Sequence, residues 1–235
     1  MLIRTDPTDR STAARSTEYD PAMALRRLTT HRSRTPLVIG QLGQSLDGRI
    51  ATPTGASKYI NGREALCHLH RIRASVEAVV VGVGTAIADD PQLTTRHVEG
   101  TSPVRVVIDP QGRMPADRAM LRDGAAPVLV LTRAGVRVPE GAEAVALDTD
   151  ARGHIPPSAI VAALAARGLG RVLIEGGAET LARFLDAGAV HELHLMVAPI
   201  VLGSGKTGLN LAPIDTLDEA MRPRVRTMRF SDGDM

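Results

Sequence analysis

Tryptophan is absent from the chain, and phenylalanine and tyrosine occur only twice each. A core for 235 residues must therefore be built from Val, Leu, Ile and Ala. So few aromatic rings also argue against nucleic-acid binding, which stacks bases on such platforms. The single cysteine, Cys67, excludes an internal disulfide and any multi-cysteine zinc site. No apolar run approaches the ~18 residues that a membrane-crossing helix needs. Lysine is scarce as well: Lys58 and Lys206 are the only two among 28 basic residues, the rest being Arg. Arginine suits two-pronged recognition of phosphate and carboxylate, although a compositional bias toward Arg and Ala explains the excess just as simply. With a net charge of only +2, neither nucleic acid nor membrane is expected as a partner.

The histidines do not read as a metal site. His68 and His70 are two apart, so on a helix they face different ways. His191 and His194 lack a supporting carboxylate or cysteine pattern. His97-Val98-Glu99 mimics the start of a zinc-deaminase motif, but no Pro-Cys-x-x-Cys follows it. No metal is expected.

Residues 1–35 read differently from the rest. They carry Arg4, Arg10, Arg15, Arg26, Arg27, Arg32 and Arg34 with many Ser and Thr and few β-branched aliphatics. They are expected to form a disordered Arg-rich tail with, at most, a short helix over Pro21–Leu28. Asp6, Asp9, Glu18 and Asp20 speak against an organellar transit peptide, and no secretory signal is evident, so a cytoplasmic location is expected.

From residue 36 to 235 the punctuation becomes regular and predicts one domain. Leu37–Leu42 reads as a strand, and Asn61 with Glu64 as a capping box opening a helix along Ala65, Leu69 and Ile72. Ala78–Val83 is a near-continuous β-branched run, as in a strand buried on both faces. Val104–Ile108, Val128–Leu131, Val145–Leu147, Arg171–Glu175 and Leu193–Ala198 repeat the strand pattern. Ser158–Arg167 and Ala178–Ala187 read as helices. Strands alternating with helices indicate an α/β fold around a mostly parallel sheet.

Three places could carry chemistry. In Ile174-Glu175-Gly176-Gly177-Ala178-Glu179-Thr180-Leu181 a buried strand passes through two glycines into a helix, whose amino end favours a phosphate. The third glycine of the dinucleotide fingerprint is missing, and a tight turn alone could require both that remain. Gly82-Val83-Gly84-Thr85, with Ala88-Asp89-Asp90-Pro91, lies beyond a strand's carboxyl end, where α/β sheets bind ligands; alternatively Asp90-Pro91 is a plain turn and Asp89 a cap. Ser45–Ala51 and the following Gly55–Ile60 form either a turn or, through Ser57 and Tyr59, the wall of a site for a flat heterocycle. Arg73 and Arg96 are candidate phosphate ligands, though lone arginines are mostly surface residues.

Taken in order, Ser45–Ala51, Gly82–Thr85 with Ala88–Thr94, Glu175-Gly176-Gly177, and Ala187-Gly188 through Glu192-Leu193 to Ala198-Pro199 and Leu202-Gly203 resemble one family. It is the reductase domain of the riboflavin-biosynthesis deaminase–reductases and their stand-alone pyrimidine reductase relatives. The resemblance runs from about Leu37 to Gly205. It implies a dihydrofolate-reductase-like three-layer fold with helices on both faces of the sheet, NADPH as cofactor, and a homodimer. The reaction implied is reduction of the ribosylamino side chain of an aminopyrimidine 5′-phosphate to a ribitylamino chain. The NADPH contacts implied are Gly43, Tyr59, Thr85, Asp89, Gly177, Ala178, Glu179, Thr180, Leu181, Ala182 and Arg183. The implied substrate contacts are Ser57, Arg73, Leu93, Arg96 and Glu175, with Arg73 and Arg96 on the phosphate. Glu175 and Asp47 are the candidates for a catalytic acid.

The chain departs from the family's pattern in places. Tyr59 stands where many relatives have Trp, and Asn61 where they have Thr or Ser. No deaminase half is present. Relatives usually add a closing strand beyond Ser231–Met235, so the final hairpin and dimer edge are expected to differ. Two alternatives stay open: a paralogue reducing a dihydropterin or another small heterocycle, and a non-catalytic nucleotide-binding regulatory domain.

Overall fold

The computed structural model describes residues 2–4, 21–31, 35–58 and 60–235. Its main sheet has nine strands in the order β11-β1-β9-β2-β8-β4-β5-β6-β7. They are β1 (Leu2–Arg4), β2 (Leu37–Ser45), β4 (Ala78–Gly82), β5 (Val104–Ile108), β6 (Val128–Thr132), β7 (Glu143–Ala146), β8 (Arg171–Glu175), β9 (Glu192–Ala198) and β11 (Arg224–Arg226). The seven from β9 to β7 are parallel, whereas β1 pairs antiparallel with both β9 and β11. A small second sheet joins β3 (Arg49–Ala51) to β10 (Lys206–Thr207).

The sheet is covered on both faces, which is why its strands read as unbroken apolar runs. Side chains alternate between faces along each strand. Val38, Val80, Val106 and Leu129 join one core with α5 (Pro157–Ala165) and α6 (Ala178–Asp186), through Ile160, Leu164, Leu181 and Phe184. Ile39, Val79, Val81, Val107 and Val130 join the other. That second core includes α1 (Pro21–Thr30), α2 (Arg63–Ser75), α3 (Val83–Asp89) and α4 (Ala119–Arg122), through Leu28, Ile72, Ala86 and Met120. The expected three-layer α/β architecture is present, with the strands at Val104–Ile108 and Arg171–Glu175 bounded as predicted.

Several expectations are corrected. Two pieces of the expected tail are ordered against the domain: β1 lies in the sheet, and Leu28 of α1 is fully buried. Helix α2 starts at Arg63 with Gly62 as its cap, and no side chain of its own caps it. The Asn61–Glu64 capping box does not form, because both side chains turn to residues near the end of the chain. Asn61 Nδ2 donates to Asp234, and the Glu64 carboxylate accepts from the Ser231 N–H and hydroxyl, both at 2.6 Å. β7 begins two residues early, and Val83, expected to end a strand, instead opens a short helix, Val83–Asp89. Past the residues paired with β1, Val197 of β9 and Met235 exchange a pair of backbone hydrogen bonds of 2.7 and 3.0 Å.

Candidate active site

Beyond the carboxyl ends of the central strands lies one continuous cleft of about 2070 Å³. Ordinary ligand pockets measure ~300–1,000 Å³, so this one can hold two sizeable molecules at once. Its floor comes from strand ends, with Gln41–Gly43 of β2, Gly82 of β4, Ile108 of β5 and Gly176 just after β8. Location at strand carboxyl ends is what an open parallel sheet dictates.

One half of the cleft is a glycine cradle. Gly176 and Gly177 have φ of +70° and +66°, the left-handed region that other residues resist. They turn the chain from β8 into α6, whose amino end faces the cleft through Gly177, Ala178 and Glu179. A Cβ on Gly177 would sit 3.0 Å from the Thr85 hydroxyl, and one on Gly82 would collide with the Thr180 hydroxyl. The Thr85 and Thr180 hydroxyls thus pack so closely on Gly177 and Gly82 that a side chain at either glycine would be crowded. Thr85, Asp89, Gly43, Gly177, Ala178, Glu179, Thr180, Ala182 and Arg183 all line the cleft. Leu181 does not: it is wholly buried in the core beneath α6, on the side of the helix away from Glu179. Tyr59 falls outside the described residues.

Ser57, Arg96 and His97 also line the cleft. Arg73 and Glu175 lie behind it, 5% and 9% exposed. They form a two-pronged ion pair, Nε to Oε2 at 2.8 Å and Nη2 to Oε1. Arg73 Nη1 also donates to the Thr94 carbonyl at 3.0 Å. The two residues singled out from the sequence as separate substrate contacts are therefore each other's main partner. Leu93 is likewise buried, with a φ of +56°. It fills the core and directs the loop toward Arg96 rather than lining the cleft.

Asp47 is corrected as an acid candidate. Its carboxylate accepts from the Ser45 hydroxyl at 2.6 Å and from the N–H groups of Leu202 and Gly203 at 3.0 and 2.7 Å. These bonds, the Ser45 hydroxyl first, lower its pKa to about 2. It stays ionised at neutral pH, lies off the cleft lining, and ties the β2 turn to the 202–203 turn. Conversely, both lysines of the chain, Lys58 and Lys206, line the cleft. Their near-exclusion elsewhere was the available signal, and it was read as composition. Asn61 also lines the cleft and packs on Gly43, where a Cβ would collide with its amide oxygen. Among the described residues no cluster of His, Cys, Asp and Glu could hold a metal, and no helix is long and apolar enough to cross a membrane.

The layered parallel sheet, with a two-part cleft at its carboxyl edge, defines a dihydrofolate-reductase-like α/β domain. The chain belongs to the RibD C-terminal domain family, whose pattern matches residues 36–231. It is 38% identical over 192 residues to the riboflavin biosynthesis protein RibD of Bacillus amyloliquefaciens, covering 77% of this chain and 51% of that protein. The chain thus spans about half the length of that relative. It is 32% identical over 198 residues to the 2,5-diamino-6-ribosylamino-4(3H)-pyrimidinone 5′-phosphate reductase of Methanothermobacter thermautotrophicus, covering 81% of this chain and 91% of that one. Among solved structures, the Thermotoga maritima diaminohydroxyphosphoribosylaminopyrimidine deaminase/5-amino-6-(5-phosphoribosylamino)uracil reductase superposes with a TM-score of 0.72 at 28% identity. That match covers 86% of this chain and 55% of the Thermotoga one.

Proposed function

We propose that this chain is an NADPH-dependent reductase of riboflavin biosynthesis. It converts the ribosylamino side chain of an aminopyrimidine 5′-phosphate to a ribitylamino chain, and works as a cytoplasmic homodimer. The single observation that carries this reading is the cleft itself, lined both by a glycine cradle and by cationic side chains, with a volume that can take two ligands.

The residues fit the division of labour. Gly43, Thr85, Asp89 and the Gly177–Thr180 turn, with Ala182 and Arg183, would hold the dinucleotide, its phosphates on the α6 amino end. With the dinucleotide held there, its reduced nicotinamide would supply hydride to the imine carbon of the ring-opened sugar, the imine nitrogen taking a proton from solvent. The protein's part is to align donor and acceptor. Ser57 and Arg96 would take the pyrimidine phosphate directly. The Arg73–Glu175 pair fixes the wall behind them, the Arg73 guanidinium being engaged by the Glu175 carboxylate and the Thr94 carbonyl.

The test is NADPH consumption, followed by absorbance, with the ribosylaminopyrimidine phosphate compared against dihydrofolate and dihydropterin, and with NADH in place of NADPH. Turnover only with the pyrimidine phosphate, and faster with NADPH, is expected. Turnover of the pterins instead would assign the site to another reductase.

A further inference from the structure

The sequence gives His70 no role. It sits on α2 three residues before Arg73, is completely buried, and lies off the cleft lining. Its Nδ1 accepts the backbone N–H of Arg96 at 3.0 Å. Its Nε2 lies 3.4 Å from Arg73 Nη1, and its ring meets His97 edge-on at 4.5 Å between centroids. A neutral imidazole has one acceptor nitrogen, and Nδ1 is already used as one. The proton therefore belongs on Nε2, and the contact with Arg73 sets donor against donor rather than forming a bond.

This ring stands between the buried ion pair and the exposed cation of the cleft wall. The loop carrying Arg96 follows Leu93, whose positive φ is a conformation the surroundings must impose. Three hydrogen bonds of 3.0 Å pin that loop: Arg73 to the Thr94 carbonyl, the Thr95 N–H to the Ser102 hydroxyl, and the Arg96 N–H to His70. Only the last acts at Arg96 itself. Arg96 is exposed, and among the described residues its side chain makes one long hydrogen bond, 3.4 Å to the Thr94 hydroxyl. Its position therefore depends on its backbone.

We propose that His70 is a positioning residue that sets Arg96 for the anionic group of the substrate. This rests on the function proposed above for the Arg96 end of the cleft. Burial, then the neighbouring Arg73 and Arg96, push the His70 pKa down to about 3, so the accepting nitrogen stays free of a proton at neutral pH.

The experiment compares His70→Leu with His70→Asn, whose side-chain oxygen can stand where Nδ1 does. His70→Leu should raise KM for the pyrimidine phosphate about tenfold, the size of one lost hydrogen bond, with kcat within threefold and NADPH affinity unchanged. His70→Asn should recover most of that loss. A His70→Leu protein that is folded and keeps its substrate KM within twofold overturns the inference. So does an equal loss of NADPH affinity, or failure of Asn to improve on Leu. Wild-type protein is the control: if it turns over no phosphorylated pyrimidine, the proposed function fails instead. Nitrogen-15 NMR of the imidazoles tests the geometry independently of any substrate. An Nε2-protonated, neutral His70 at pH 7 is expected, and an Nδ1-protonated ring overturns the proposal.

Discussion

Arg73 and Glu175 are 102 residues apart in sequence and meet in a buried two-pronged ion pair behind the cleft wall. Taking both charges out of water costs several kcal/mol each, and the geometry must repay it. Arg73→Ala would leave the Glu175 carboxylate stranded and is expected to destabilise the fold by about 3–5 kcal/mol. Glu175→Gln keeps the shape and one acceptor, and should cost less. Arg73→Lys should recover only part, since an ammonium cannot serve both carboxylate oxygens and the Thr94 carbonyl with one planar fork. In Arg73→Ala, any loss of substrate affinity has to be measured on the fraction still folded. Urea melts of the two single variants and the double variant check this. Strict additivity of their stability changes would show that the pair is not coupled.

The glycine cradle makes a second expectation. Gly82→Ala places a methyl group against the Thr180 hydroxyl at the wall where the dinucleotide is proposed to lie. NADPH affinity should fall at least tenfold by fluorescence titration. Because the colliding atom is the hydroxyl and the Thr180 Cβ is 3.8 Å away, adding Thr180→Ala should relieve the fold. An unchanged NADPH affinity in a folded Gly82→Ala protein would place the dinucleotide elsewhere.

Acid should weaken the fold through two buried histidines. His68 and His70 both have pKa values lowered from 6.5 to about 3, chiefly by burial. His194 adds to the effect at His68. Its Nδ1 lies 3.1 Å from His68 Nε2, and its Nε2 lies 3.0 Å from Glu192. At His70 the added causes are Arg73, Arg96 and His97. Between pH 6.5 and 3 the unfolded chain carries protons on both rings that the folded chain lacks. Stability is therefore complete above about pH 6.5 and lost as pH falls, by about 1.4 kcal/mol per pH unit for each ring. Urea melts at pH 7, 6 and 5 should show this slope, and His68→Gln should flatten it by one proton. A midpoint constant over that range would contradict it.

The sheet was legible because strands buried on both faces announce themselves as short β-branched runs, and Ala78–Gly82 or Arg171–Glu175 need no distant partner to be recognised. The cradle was legible for a similar local reason: the end of a strand, two glycines and the start of a helix lie together in Ile174–Leu181. What was not legible depends on contacts far apart in sequence. Nothing local says that Arg73 will be occupied by Glu175, or that Asp47 will bind Leu202 and Gly203. β1, β3, β10 and β11 span only two or three residues each, too few to show a period. Leu28 shows the limit of composition: the polar, Arg-rich segment around it looks unable to dock, yet one fully buried leucine anchors α1.

The start of α2 supplies the last prediction. The Gly62 N–H donates to Asp234 at 2.7 Å, and the Glu64 N–H donates to Asp232 at 2.9 Å. The Asp234 carboxylate also receives the Asn61 amide at 3.2 Å and is 2% exposed. The helix is thus capped by carboxylates about 170 residues away, which satisfy its free N–H groups and complement its positive end. Asp232→Ala should cost about 1 kcal/mol, as for an ordinary lost cap. Asp234→Ala should cost more, about 2 kcal/mol, because it leaves the Asn61 amide and the Gly62 N–H facing a buried gap. Asp234→Asn can keep an oxygen where Oδ2 accepts both donors but loses the charge that strengthens those bonds and complements the helix start, so an intermediate loss is expected. Asn61 lines the cleft beside Gly43, so NADPH affinity should fall in the same order across Asp232→Ala, Asp234→Asn and Asp234→Ala. Thermal melts together with NADPH titration check both rankings. Equal stability of all three variants and the wild type would mean that the 231–235 segment does not hold the helix in solution.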